Sequence, residues 1–188
     1  MLPEFVAACG FANAKAPGYE ADDFLAAAVA REEKRRGTVV VATGDRDAFQ
    51  LASERTTIVQ PVKVGELARI GPAEVVQRYG VEPQQVPDFI ALRGDASDKI
   101  PGAAGVWPKT AAALIRQHGS LETLLAAGRF PNQAKQLRLY RSIATMDKTA
   151  PIPALPNQTP TCDRASQLAR DWALNRLADR LAALQQAK

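Results

Sequence analysis

Gly37-Thr38-Val39-Val40-Val41-Ala42-Thr43-Gly44-Asp45-Arg46-Asp47 is the stretch that decides the fold. Thr38 to Ala42 is a β-branched run with no polar face, the pattern of a strand buried on both sides in a parallel sheet. Before it, Ala21, Phe24, Leu25, Ala28 and Val29 recur at three- and four-residue spacing, which predicts a helix over Tyr19 to Arg36 ending at Gly37. Helix followed by buried strand is half of an α/β unit. Thr57-Ile58-Val59-Gln60 reads as a neighbouring strand. Asp45 and Asp47 fall just past the strand's C-terminal end, where open α/β sheets place their ligands. Capping alone does not explain two acids there; an Asx-turn at Asp45 is the structural alternative.

Working outward, Met1 to Ala16 reads as a short helix, and Pro17-Gly18 breaks the chain. From Pro72 the character changes to short helices separated by turns: Pro72 to Tyr79, Val86 to Arg93, Lys109 to His118 and Leu121 to Ala127. Residues 150–161 include four prolines and no regular period, as in an extended connector. Asp163 to Ala187 is expected to close the chain as one helix, with Leu168, Trp172, Leu177, Leu181 and Leu184 on its apolar side. No repeat of fixed period is visible.

A chain of 188 residues is one ordinary domain, or a domain with a small appendage. At 46% hydrophobic and 23% charged residues it is globular rather than disordered. No stretch is apolar for long enough to span a bilayer, and the N-terminus lacks a secretory layout, so a cytoplasmic protein without membrane contact is expected. Cys9 and Cys162 have no companions at metal or redox spacing and read as two buried thiols. Residues 1–60 carry nine acids and seven bases, and residues 121–188 carry ten bases and five acids. An acidic centre with a basic flank suits a metal site beside a polyanion-binding surface; a solvated, arginine-rich helical surface is the plainer alternative.

Three acidic clusters, Glu20-Ala21-Asp22-Asp23, Asp45-Arg46-Asp47 and Asp95-Ala96-Ser97-Asp98, hold seven of the twenty carboxylates. Grouped carboxylates repel one another unless cations neutralise them. Convergence of the three would make a divalent-metal site for phosphate chemistry. The first cluster alone is more often a helix cap, because acids in a first turn complement the dipole. The third opens Gly94-Asp95-Ala96-Ser97-Asp98-Lys99-Ile100-Pro101-Gly102-Ala103-Ala104-Gly105-Val106-Trp107-Pro108-Lys109-Thr110-Ala111, a glycine-punctuated turn feeding a helix. Backbone amides at such a turn, with Lys109 adding charge, suit a phosphate. Two helices flanking a Gly-x-x-Gly hairpin grip a nucleic-acid backbone without reading its bases. A purely structural helix–turn–helix leaves Asp95 and Asp98 unexplained.

Gly18-Tyr19-Glu20-Ala21-Asp22-Asp23, Gly44-Asp45-Arg46-Asp47 and Gly94 to Gly102 closely resemble the bacterial 5′→3′ exonuclease and flap endonuclease family, which includes the N-terminal nuclease domain of DNA polymerase I. Order and spacing agree from about residue 17 to 128. The resemblance implies a partial PIN-like α/β nuclease core over 1–71 and an all-helical helix–three-turn–helix DNA-binding region over 72–150. A connector and C-terminal helix over 151–188 are expected to pack back on the core. It implies two Mg²⁺ or Mn²⁺ ions, with Glu20, Asp22, Asp23, Asp45, Asp47, Asp95 and Asp98 as ligands. Asp22, Asp23, Asp45 and Asp47 stand at the catalytic centre. Lys99, Gly102, Gly105, Lys109 and Thr110 are expected to hold the DNA backbone, with a K⁺ at the hairpin. The implied activity is hydrolysis of phosphodiesters in 5′-ended, flap or duplex DNA, in replication or repair, by a monomer.

Two departures from the family pattern stand out. The family opens with a hydrophobic strand ending in aspartate, a further metal-binding aspartate and a helical arch. Met1 to Ala16 holds one acid, Glu4, so about the first third of a family domain is expected to lack a counterpart. In the hairpin, Gly105-Val106-Trp107 followed by Pro108 replaces the family's Gly-Ile-Gly; Trp107 is expected to resist positive φ and crowd the amides, and Pro108 removes a donor. Trp107 is a base-stacking candidate beside a packing role. His118 suits a helix C-terminus, and Arg116, Lys135 and Arg138 are phosphate contacts or a solvated face. The alternatives to a nuclease are a catalytically weak or inactive DNA-binding module of the same family and, more remotely, a PIN-type ribonuclease.

Overall fold

The β-branched run forms strand β1 (Val39–Ala42), and β2 (Thr56–Lys63) lies parallel to it with Val41 opposite Ile58. This is a computed structural model, and it describes residues 2–63, 65–154 and 159–186. A third strand, β3 (Glu66–Ile70), which the sequence reading did not anticipate, pairs antiparallel to β2 with Ile58 opposite Ile70. The order β1-β2-β3 leaves β1 at an edge. The expectation that β1 is buried on both faces is therefore corrected: Val41 is 3% exposed, but Val40 is 61% exposed. Val39 and Val41 face the core, and the alternate positions face outward.

Helix α1 is Leu2–Ala8, and α2 is Ala21–Lys34. The α2 helix buries Phe24, Ala26, Ala27 and Val29. Its end is a Schellman motif: the Gly37 amide donates to Glu32 O at 3.0 Å and the Arg36 amide to Glu33 O at 2.8 Å. Arg36 takes the left-handed position, with φ 65°, one residue before the expected glycine. A 3-10 turn at Asp47–Leu51 connects β1 towards β2 and sinks Phe49 into the core.

Helices α3 (Pro72–Tyr79) and α4 (Val86–Arg93) occupy the expected bounds. Pro72 and the Glu74 carboxylate, which accepts from the Gly71 amide at 2.8 Å, start α3, and left-handed Gly80 stops it. Helices α5 (Pro108–His118) and α6 (Leu121–Ala126) follow, and α7 (Ala134–Ala144) was not anticipated. Every residue of α4 from Val86 to Leu92 is buried, Asp88 included. Asp88 Oδ2 accepts from the Leu121 amide at 3.1 Å, and Oδ1 pairs with Arg141 Nε at 2.5 Å. One carboxylate thus ties α4 to the start of α6 and to α7. Phe49, Ile58, Ile70, Phe89, Leu92 and Ile115 form the apolar centre of this mixed α/β unit.

The chain divides into two units, residues 22–150 and residues 1–21 with 151–188. In the second unit, α8 (Cys162–Asp171) and α9 (Asn175–Gln186) replace the single helix expected over Asp163 to Ala187. Ala173, at φ 58°, breaks the axis, and Ser166 Oγ donates to Ala178 O at 2.9 Å across the pair. The apolar period runs on through the break, so a pattern of spacing alone does not reveal it. Of the expected connector over 150–161, residues 155–158 lie outside the described residues. Cys162 is buried as expected, but Cys9 is only half-buried. Burial, and secondarily Cys162, raises the Cys9 thiol pKa, so the fold brings the two thiols near each other.

Candidate metal centre

The end of β1 positions the second acidic cluster. The Asp45 amide donates to Thr43 Oγ1 at 3.0 Å, and the Asp47 amide to Asp45 Oδ1 at 2.9 Å, which is the Asx-turn foreseen as an alternative. The turn sets Asp47 at the start of the 3-10 segment, half-buried, while Asp45 stays exposed. The third cluster sits in a closed hairpin. Asp95 and Ile100 exchange both backbone hydrogen bonds, at 2.8 and 2.7 Å, and Lys99 adopts φ 57° to complete the turn.

These two clusters, fifty residues apart in sequence, meet. Asp47 has its pKa pushed up to about 7, first by burial and then by the charges of Asp45, Asp95 and Asp98; its side chain also hydrogen-bonds Asp98. A proton shared between two carboxylates is what like charges adopt when no cation separates them. For Asp95, burial opposes ionisation, but hydrogen bonds from Ser97 and the Arg93 charge outweigh it and hold the pKa below the ordinary value. The Asp95 carboxylate receives the Ser97 amide at 2.9 Å and pairs with Arg93 Nη2 at 2.6 Å. A cleft of about 590 Å³ lies between the clusters, with Arg46, Tyr79 and Arg93 in its wall.

Sequence reasoning missed Arg93 and Tyr79. The Arg93 guanidinium lies 5.5 Å from the Tyr79 ring centre and 5.1 Å from that of Phe89. Tyr79 stacks on Phe89 at 5.0 Å, and its hydroxyl is buried beside Arg93. Burial raises the Tyr79 pKa, with Arg93 opposing. Arg93, in the last turn of α4 and two residues from Asp95, was open to detection by proximity. Tyr79 carries no local signal, because α3 and α4 meet only in the fold.

The first cluster is used differently. Asp22 and Asp23 lie in the first turn of α2, both half-buried, and Asp23 Oδ1 accepts the Asp147 amide at 2.7 Å. Glu20 precedes the helix and is exposed. Among the described residues, no three His, Cys, Asp or Glu side chains close around one point as a ready metal cage. The donors that do converge are carboxylate oxygens, the set that suits a hard divalent cation, and Mg²⁺ commonly completes its shell with water. Asp45, Asp47, Asp95 and Asp98 offer donors of that kind.

The expected DNA-contact residues flank the same hairpin. Lys99, Gly105, Lys109 and Thr110 are exposed. Gly102 is buried, with φ 79°, against the backbone of Arg93 and Gly94. Trp107 does not resist the turn, as expected from its side chain, because it is extended at φ −96°, ψ 162°; Gly105, at φ 73°, makes the reversal. Pro108 occupies the first position of α5.

Residues 1–80 match the family model described as 5′-3′ exonuclease, N-terminal resolvase-like domain, and residues 81–167 match 5′-3′ exonuclease, C-terminal SAM fold. The chain belongs to the 5′→3′ exonuclease family. DNA polymerase I of Mycobacterium tuberculosis is 48% identical over 123 residues, covering 65% of this chain and 14% of that protein. DNA polymerase I of Thermus thermophilus is 45% identical over 124 residues, covering 66% of this chain and 14% of that protein. The chain thus spans about a seventh of the length of these relatives. Among solved structures, T5 5′-exonuclease with bound zinc superposes with a TM-score of 0.63 at 16% identity, over 92% of this chain and 62% of that one. The catalytic core of Rad2 in complex with DNA substrate gives 0.61 at 15% identity, over 96% and 65%. These likenesses establish the fold: a mixed α/β unit continuing into a helical SAM-like region. Among the described residues no helix is long and apolar enough to cross a membrane.

Proposed function

We propose that this chain is a metal-dependent phosphodiesterase acting on 5′-ended or flap DNA, in replication or repair. The observation that carries the reading is the meeting of Asp45, Asp47 and Asp95 in the wall of one cleft, with Asp98 hydrogen-bonded to Asp47. Relatives that are DNA polymerases I, and neighbours solved with zinc and with DNA substrate, support the same reading. Asp45, Asp47, Asp95 and Asp98 would hold Mg²⁺ or Mn²⁺, with Asp22 and Asp23 contributing from the start of α2. The bound ion would activate water and stabilise the leaving oxygen. Ser97 and Arg93 orient Asp95, and the Asx-turn orients Asp45 and Asp47. Exposed Lys99, Lys109 and Thr110, with Gly102 and Gly105 shaping the turn, would receive the DNA backbone. The functional division is a nuclease core over 1–71, a helix–three-turn–helix region over 72–150 and a C-terminal part over 151–188.

The test is Mg²⁺- or Mn²⁺-dependent cleavage of a 5′-flap DNA by this chain, beside Asp45→Asn and Asp98→Asn. Cleavage lost in both variants is expected; cleavage that persists in both overturns the reading.

Two observations favour the second reading, a DNA-binding module with weak or no catalysis: Arg93 already pairs with Asp95, and no three-ligand cage is preformed among the described residues. Duplex binding without cleavage, weakened by Lys109→Ala and by added salt, is its expected signature.

A further inference from the structure

Trp107 is 75% exposed. Its neighbours nevertheless hold its backbone rigidly. The residue before a proline is confined to extended conformations, and Trp107 sits at φ −96°, ψ 162° ahead of Pro108. Its carbonyl accepts the Ala111 amide at 2.9 Å, which ties it to the first turn of an eleven-residue helix. The preceding turn is tied down as well: the Ala103 amide donates to Leu92 O at 2.9 Å, and the Val106 amide to Ala103 O at 3.1 Å. An exposed indole on a fixed mount loses little conformational freedom when it is covered.

The surroundings select what covers it. Trp107 lines a trough of about 610 Å³ that also contains Arg93 and Asp95, residues shared with the acidic cleft. The trough therefore runs from the ring to the candidate metal centre. Exposed Lys109 and Thr110 follow Trp107 at the start of α5. A flat ring followed by an exposed cation and hydroxyl, and leading to a carboxylate cluster, matches a nucleobase attached to a phosphodiester.

We propose that Trp107 is a stacking platform for one unpaired base of the DNA substrate, next to the phosphodiester that enters the acidic cleft. Trp107 acts on substrate choice: a strand with an unpaired base near the junction gains the stack, and a blunt duplex does not. This rests on the proposed DNA-directed function.

The experiment uses the full chain in the Trp172→Phe background, so that the indole signal belongs to Trp107 alone. Binding is measured in EDTA, by fluorescence, to a 5′-flap DNA carrying 2-aminopurine next to the junction and to a blunt duplex of equal length. Quenching of Trp107 by the flap is expected, together with a roughly ten-fold weaker flap affinity for Trp107→Ala. Trp107→Phe should recover most of that loss, and duplex affinity should move less than two-fold. Equal losses on flap and duplex, or flap binding by Trp107→Ala that matches the parent, overturns the stacking role while leaving the DNA reading intact. Failure of the parent to bind either DNA overturns both.

Discussion

Gly94 and Gly102 are pressed backbone to backbone: a Cβ added at Gly102 would lie 2.6 Å from Gly94 N, and one added at Gly94 would lie 2.7 Å from Ile100 O. Both glycines have positive φ. This contact closes the hairpin that carries Asp95 and Asp98, so the acidic centre depends on two absent side chains.

Gly102→Ala should therefore cost roughly 3 kcal/mol, combining left-handed strain with overpacking against main chain. Gly105 also has positive φ but meets nothing within 4 Å. Gly105→Ala should cost only about 1 kcal/mol. Urea unfolding of the two variants checks the difference.

Arg93 stabilises the metal-free protein by pairing with Asp95 and lying over Tyr79 and Phe89. Arg93→Ala should lower stability by about 1–2 kcal/mol without metal. The same change removes a cation that competes for Asp95, so divalent-ion affinity should rise several-fold. Arg93→Lys keeps the charge but loses the planar stacking, and should fall between. Calorimetric titration with Mn²⁺ and thermal unfolding in EDTA give the two readouts.

The pH dependence follows from Asp47. Its pKa in the folded protein is raised from 3.8 to about 7. A raised pKa means that this group favours the fold most below the unfolded value, and that the contribution is lost as pH rises through the folded value. Without metal, Tm should fall between pH 4 and pH 7 on account of this group. A divalent ion replaces the proton, so Mg²⁺ should raise Tm more at pH 8 than at pH 5. Asp47→Asn should flatten the profile and weaken the Mg²⁺ response; an unchanged response would remove Asp47 from the ligand set.

Asp88 is 4% exposed, whereas its partner Arg141 has a half-exposed side chain. Arg141→Ala leaves a buried carboxylate without its counter-charge and should cost about 3 kcal/mol. Arg138→Ala breaks a pair with Glu122 that is exposed on both sides, and should cost far less. Chemical denaturation of both variants tests whether burial, rather than the presence of an ion pair, sets the loss.

Helices α3 and α4 were legible to the residue because their ends are local events: a proline that fits the first turn, a glycine free to turn left-handed. The clusters at Asp45 and Asp95 were legible for a similar reason, since each lies at a punctuated end of an apolar segment. The α7 helix had a signal that went unread, with Leu137, Tyr140 and Ala144 on one face. The turn at Ala173 had none, because no glycine or proline marks it.

By itself, the sequence determined the family and the element types over most of the chain, and it marked the carboxylates proposed as ligands. These follow from spacing and conformational preference within a few residues. Tertiary structure decided that Val40 faces outward, since a strand's burial depends on which elements cover it. It also decided that Asp47 meets Asp98, that Arg93 pairs with Asp95 beneath Tyr79, and that Trp107 stands free. Electrostatic coupling and burial act through space, and residues fifty positions apart acquire both only when the chain has folded.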